Sequence, residues 1–314
     1  MSQTVLNNRP DRGAYIITGP TSGIGRATAL QLAKHNKLIL VGRSREKLAE
    51  VQKEIEKMGQ QAVSVVCDLS DLVSVRQAAA EIIALQLPIT GLLNNAGISP
   101  LKPGKSVQGW DLAFATNYLG PFVFTELLAP HLPDGANVVF IASAIEDPDR
   151  KPVKALGMKG ARFISIEASS RAEWKPGGAK LPGADAYATS KQCVLAAALA
   201  LARENTRLRF NAIEPGITPG TGLSRDSNAF LRFIFGRVIM LFPPFNKYRS
   251  TPQRAALVIT NVLTDEWGMT GTYYDEKGTP MLGSAQVRDP KFQDHVVAGT
   301  RAFLSKVKIG LTLK

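Results

Sequence analysis

The sequence predicts an α/β protein: one domain over residues 1–314, built on a doubly wound parallel sheet of about seven strands with helices on both faces. Three observations carry that expectation. Short apolar runs alternate with longer helical patterns along the chain. A glycine-rich turn separates the first apolar run from the first helical pattern. With 314 residues, 45% hydrophobic and 20% charged, the chain can bury a full core.

In order, strands are expected at Tyr15–Thr18, Leu38–Val41, Ala62–Cys67, Gly91–Asn94, Asn137–Ala142 and Arg209–Ile213, with a seventh at Gly271–Tyr274. Helices of about 12 to 20 residues fill the intervals. The first strand runs into Thr18-Gly19-Pro20-Thr21-Ser22-Gly23-Ile24-Gly25, which opens a helix reaching about Asn36. Glycines there permit a tight turn and let the backbone approach a pyrophosphate, whose charge is met by N–H groups at the helix start. Gly19, Thr21, Ser22, Gly23, Ile24 and Gly25 are therefore candidate dinucleotide-binding residues.

The second strand ends at Arg43-Ser44-Arg45. An NAD site usually places a carboxylate here for the ribose 2′-hydroxyl, whereas a basic residue accommodates a 2′-phosphate, so Arg43 favours NADPH over NAD. After the third strand come Asp68 and Leu69. Asp68 either accepts from an adenine amino group or helps Ser70 and Asp71 start the next helix. The fourth strand leads into Asn94-Asn95-Ala96-Gly97, where small residues suit close approach to a ligand and Asn side chains can tie adjacent strands together.

Two stretches depart from the alternation. Residues 145–183 are polar and rich in Gly and Pro, and read as an irregular insertion ahead of the helix that carries Tyr187. Residues 226–246 contain AFLRFIFGRVIMLFPPF, too short and too interrupted to span a bilayer. That segment is expected to be ordinary core, a substrate-side helical lid over a hydrophobic pocket, or a peripheral contact with a membrane surface.

The formal charge is +12, but the excess is dispersed, with no Lys/Arg block, so a basic surface that attracts anions is expected rather than a nucleic-acid partner. Cys67 and Cys193 are too few and too far apart for a disulfide framework or a zinc site, and His35, His131 and His295 are scattered, so no metal is expected. The start, MSQTVLNNRPDR, lacks a secretory pattern, which points to the cytoplasm.

Tyr187 and Lys191, in Tyr-Ala-Thr-Ser-Lys on an alanine-rich helix, share a helix face. A phenol of pKa near 10 needs a shift of about 3 units, about 4 kcal/mol, to act near neutrality. An ammonium about 4 Å away supplies that at an effective dielectric of about 20.

Taken together, TGPTSGIG (18–25), NNAG (94–97), Asn117 in ATNYLGPF, the strand-end Ser143, YATSK (187–191) and Pro215-Gly216 resemble the short-chain dehydrogenase/reductase family in order and position, over about residues 13–280. The resemblance implies a Rossmann-type fold, an NAD(P) cofactor, and a catalytic group of Asn117, Ser143, Tyr187 and Lys191. Tyr187 would exchange a proton with the substrate oxygen as hydride moves, and Ser143 would position that oxygen. Lys191 would lower the tyrosine pKa and grip the nicotinamide ribose, Asn117 would hold a water of a proton relay, and Pro215, Gly216 and Ile217 would cover the nicotinamide. Asn95, Ala96 and Gly97 would line the cofactor.

The long segment between Ser143 and Tyr187, the pattern Tyr-x-x-x-Lys-x-Cys ending at Cys193, and TGLSRD…LFPPFNKY (221–248) are similar to light-dependent protochlorophyllide reductases. In those enzymes a cysteine follows the Pro-Gly pair, and this chain has Ile217 there. The expected activity is NADPH-dependent reduction of a carbonyl on a fairly large hydrophobic substrate, reversible as alcohol oxidation. Photoreduction of a ring double bond and non-catalytic NADPH binding are the alternatives. Oligomeric state stays open.

Overall fold

A computed structural model describes residues 13–100, 102–181, 183–218, 243, 245–265 and 268–307. Nearly all of the apolar stretch in 226–246, with the core, lid and membrane-contact expectations placed on it, lies outside the described residues.

Seven strands form one parallel sheet in the order β3-β2-β1-β4-β5-β6-β7. They are β1 (Ala14–Thr18), β2 (Leu38–Gly42), β3 (Ala62–Val66), β4 (Ile89–Asn94), β5 (Asn137–Ile141), β6 (Arg209–Ile213) and β7 (Tyr273–Tyr274). Every residue of β1 and β5 is buried, which is why these strands read as continuous apolar runs: both sheet faces are covered. Edge strand β3 is less covered, with Ala62 and Val65 buried on opposite faces and Val63 exposed. The seventh strand is shorter than the sequence suggests; only Tyr273 and Tyr274 pair, with Ala212 and Ile213.

Helix α1 (Gly23–Ala33) follows β1, α2 (Arg45–Lys57) follows β2 and α3 (Leu72–Ala84) follows β3. After β4 come α4 (Leu112–Phe114), a π-helical turn Ala115–Leu119 and α5 (Gly120–Leu128). Then β5 leads to the short helices α6 (Lys151–Ala155) and α7 (Ile166–Ser170), the long α8 (Ala184–Glu204), and β6, with α9 (Pro252–Leu263) and α10 (Pro290–Ser305) completing the set. Caps follow the residue types: Ser44, Asp71, Thr251 and Asp289 each accept a backbone N–H from the first turn of their helix. Pro252 and Pro290 occupy first-turn positions, where no N–H is needed.

One core lies on each face of the sheet. Ala14 and Ile16 of β1 point to the side filled by α3, α5, α8 and α10, while Tyr15 and Ile17 point to the side of α1, α2 and α9. Because strands are added in one direction from β1 to β3 and in the other from β4 onward, the order reverses between β1 and β4. In such sheets the crevice beyond the carboxyl ends at that reversal is where ligands bind.

The 145–183 insertion is not wholly irregular. Besides α6 and α7 it is anchored from several sides: the Arg162 N–H donates to Thr189 Oγ1 at 2.9 Å, the Asp111 N–H to the Ser170 carbonyl at 2.7 Å, and Phe163 meets Phe292 of α10 edge-on at 5.4 Å. Helix α10 packs along α8, and the Tyr118 and Thr300 hydroxyls hydrogen-bond at 2.6 Å. Thus α8 is buried along most of its length, between the sheet on one side and α10 on the other.

Candidate active site

The glycine-rich turn is held shut by a knot at the β1–β4 reversal. Asn95 Nδ2 donates to the carbonyls of Thr18 (2.9 Å) and Gly19 (3.2 Å), while the N–H groups of Asn95 and Ala96 both donate to Thr18 Oγ1 at 3.0 Å. Gly25 has to be glycine because a Cβ there would lie 2.2 Å from the Gly19 carbonyl oxygen and 2.4 Å from Asn95 Nδ2. Gly19 adopts φ +68°, a conformation that side chains resist. The first turn of α1 carries no acidic side chain. Thr21, Ser22, Gly23 and Ile24 surround this helix start, so the residues present fit a cofactor pyrophosphate. The Asn95 amide, by contrast, is spent on the protein, which makes that residue a brace for the cradle.

At the end of β2, Arg43 is exposed and followed by Ser44, the cap of α2. Beyond β3, Asp68 Oδ1 accepts both the N–H (2.9 Å) and the hydroxyl (2.7 Å) of Ser70, whereas Asp71 caps α3. These bonds shape the loop ahead of α3. Leu69 is buried, and its carbonyl passes so near Gly120 that a Cβ there would approach to 1.9 Å.

Asn117, Ser143, Tyr187 and Lys191 come from three elements, the π-helical turn, the end of β5 and α8; Asn117 and Lys191 flank Gly97, whose Cβ position would be 3.3 Å from Asn117 Oδ1 and 3.6 Å from Lys191 Nζ. Asn117 sits in the π-helical turn, a feature that frees backbone carbonyls from the ordinary helical ladder. Its amide donates to the Ile98 carbonyl (2.9 Å) and Ser190 Oγ (3.0 Å) and accepts from the Ile98 N–H (2.8 Å). Both side-chain donors are thus committed to the protein. Ser143 follows β5 and shares a hydrogen bond with the Tyr187 phenol.

Lys191 departs from expectation. The sequence leads one to expect an ammonium that pulls the phenol down, but Nζ donates to the Ile141 carbonyl at 2.6 Å and lies 5.8 Å from the Tyr187 ring centroid. Burial lowers the Lys191 pKa to about 8, with the Glu214 carboxylate opposing. Burial pushes the Tyr187 phenol above its usual value, the Glu214 charge adds to that, and the Ser143 hydrogen bond works the other way. The physical reason is desolvation: closing the sheet and insertion around Tyr187 costs the phenolate its water, and Lys191 is engaged with strand β5 instead.

Pro215-Gly216-Ile217 form a turn after β6 in which Gly216 has φ +77°, and the Ile217 N–H donates to the Tyr248 carbonyl at 2.8 Å. Cys193 is fully buried in the core and its thiol is held well above the usual range, so it packs rather than reacts. Two carboxylates escape a reading of motifs: Glu214, buried at the end of β6, and Glu146, buried three residues past Ser143. The available signal for Glu214 is a charged residue set directly after an apolar strand, whereas Glu146 lies five residues past β5 and carries no such signal. Among the described residues no group of three or more His, Cys, Asp or Glu is placed to hold a metal ion, and no helix is long and apolar enough to cross a membrane.

A family model described as short chain dehydrogenase matches residues 14–153. A short-chain dehydrogenase/reductase of Armillaria gallica is 33% identical over 291 residues, covering 88% of this chain and 89% of that protein. The chloroplastic protochlorophyllide reductase of Pisum sativum is 28% identical over 258 residues, 76% of this chain and 62% of that protein. Among solved structures, a short chain dehydrogenase from Burkholderia cenocepacia in complex with NADP aligns with a TM-score of 0.61 at 22% identity, over 87% of this chain and 98% of that one, a likeness of fold.

Proposed function

The chain belongs to the short-chain dehydrogenase/reductase family, and from that membership we propose that it is an NADPH-dependent reductase of a carbonyl on a fairly large hydrophobic substrate, reversible as an alcohol dehydrogenase. The observation that carries this reading is the pairing of Tyr187 with Ser143 on one side and Lys191 on the other, with Lys191 Nζ lying beside Gly97. The nicotinamide supplies or takes up the hydride when bound. The protein supplies the rest. Ser143 orients the substrate oxygen by hydrogen bonding, and Tyr187 gives that oxygen its proton, or removes it in the oxidative direction. Lys191, fixed to the Ile141 carbonyl, keeps a positive charge beside the ring from which the proton departs. Asn117 ties α8 to the Ile98 loop and so holds Tyr187 and Lys191 at their stations.

Arg43, exposed at the end of β2 where a carboxylate would select NAD, supports the phosphorylated cofactor, and the NADP complex of the Burkholderia protein agrees with that preference. The partner is a small hydrophobic substrate rather than nucleic acid. The two buried free thiols, Cys67 and Cys193, suit a reducing compartment such as the cytoplasm. The test is NADPH consumption over a panel of hydrophobic ketones and aldehydes. Tyr187→Phe is expected to lower turnover by about 10²–10⁴-fold; full activity in that variant defeats the assignment.

Similarity to the pea protochlorophyllide reductase supports a second reading, light-driven reduction of a tetrapyrrole ring. Ile217 after the Pro-Gly pair and the burial of Cys193 weigh against it. Mixing the protein with pigment and NADPH in the dark, then illuminating, decides it by the presence or absence of a spectral change.

A further inference from the structure

Glu214 is buried immediately beyond β6, and neither the cofactor cradle nor the proton-transfer group accounts for it. Strands β5 and β6 pair up to Ile141 and Ile213, and one more rung joins the Ala142 N–H to the Ile213 carbonyl at 2.9 Å. There the main-chain ladder stops. The Glu214 carboxylate continues it by accepting the backbone N–H of Ala144, the residue after Ser143, and a second backbone hydrogen bond from Gly216, in the turn after β6. The Glu214 N–H meanwhile donates to the Tyr274 carbonyl of β7 at 2.8 Å. One residue thus binds the loop bearing Ser143, the Pro215-Gly216 turn and the last strand.

A buried carboxylate is a poor choice if stability were the aim, because an apolar side chain of similar size does as well or better at such a position. What an apolar side chain lacks is charge. The groups facing Glu214 electrostatically are Arg150 from the insertion, Glu276 from the segment after β7, the phenols of Tyr187 and Tyr273, and the Lys191 ammonium.

We propose that Glu214 is a positioning residue, a buried clamp whose carboxylate fixes the Ser143 loop against the Pro215-Gly216 turn and serves as counter-charge to the Lys191 ammonium. The proposal rests on the reading of Tyr187 and Lys191 as the proton-transfer group, and its test is arranged to fail separately from that reading. Glu214→Gln keeps the shape and a carbonyl acceptor but deletes the charge. Glu214→Asp keeps the charge but is one methylene too short to reach both N–H groups.

The Lys191 titration is followed by NMR of protein labelled with carbon-13 lysine, its signal identified by loss in Lys191→Met; no substrate is needed. In Glu214→Gln the midpoint is expected to fall by about one pH unit, and in Glu214→Asp to stay near that of the unaltered protein. The same midpoint in the unaltered protein and in Glu214→Gln would overturn the counter-charge. Turnover is measured on a carbonyl that the unaltered protein reduces. Glu214→Asp is expected to lose about tenfold in kcat; activity within twofold of the unaltered protein would overturn the clamp. If no carbonyl is reduced, the proposed function fails while the titration still decides the role of Glu214.

Discussion

The Lys191 ammonium is strapped to the Ile141 carbonyl at 2.6 Å, two residues ahead of Ser143. Helix α8 and the end of β5 are therefore joined at the point where their hydroxyl-bearing residues meet. That strap holds a charge in a place with little water, and the folded protein bears the cost below pH 8. Lys191 has a folded-state pKa depressed from 10.5 to about 8. Between those values the unfolded chain binds more protons than the native state, so stability rises with pH across that window. The full penalty, on the order of 3 kcal/mol, applies below it. Lys191→Met lacks this dependence. The stability gap between the two proteins, from urea denaturation at several pH values, is expected to shift toward the unaltered protein by about that amount between pH 8 and 10.5; a gap constant with pH contradicts the burial argument.

Glu146 shows the opposite sign. It is fully buried, accepts the N–H (2.8 Å) and hydroxyl (2.6 Å) of Ser284, and burial pushes its pKa from 4.5 to about 7. An acid whose folded pKa is raised contributes stability below the unfolded value and loses it as pH climbs through the folded one. The unaltered protein should lose on the order of 3 kcal/mol from this group between pH 4.5 and 7. Glu146→Gln should not, so it should gain relative stability at pH 8 over pH 4.5 in paired urea melts.

Gly25→Ala puts a methyl group against the Gly19 carbonyl and the Asn95 amide. Relief requires the glycine-rich turn or the Asn95 knot to move. A loss of about 1–3 kcal/mol in stability is expected. NADPH binding, measured by calorimetry, should weaken by at least about tenfold, since the backbone N–H groups that face a pyrophosphate move with the turn.

Arg43→Ala removes a cation that is exposed and whose neighbour Ser44 does the capping, so the fold should be unaffected. The ratio of kcat/KM for NADPH over NADH should fall by about 10–100-fold, mostly through KM. An unchanged ratio means that Arg43 does not select the cofactor.

Most of the scaffold was legible because it depends on local pattern. Strands buried on both faces declare themselves as apolar runs, and Gly19 and Gly25 mark positions where backbone meets backbone. The grouping of Asn117, Ser143, Tyr187 and Lys191 was an expectation of the family resemblance. What stayed hidden depends on tertiary surroundings. Nothing in the letters around Lys191 says that its ammonium turns to β5, since the Ile141 carbonyl is a main-chain group available on any strand. Glu214 and Glu146 look like ordinary surface acids until the sheet, insertion and C-terminal segment close over them. Short helices α6 and α7 were obscured by Gly157 and Gly160 between them and by Pro148, Pro176, Gly177 and Gly178 around them.

Helix α10 covers α8, yet it is encoded far downstream of Tyr187 and Lys191. At the ribosome, the residues that handle the proton emerge well before the helix that seals them. Until α10 is made, α8 lacks the cover that this helix gives it in the folded protein. The cover over α8 is therefore complete only once Val296, Val297 and Thr300, all buried on α10, have been made.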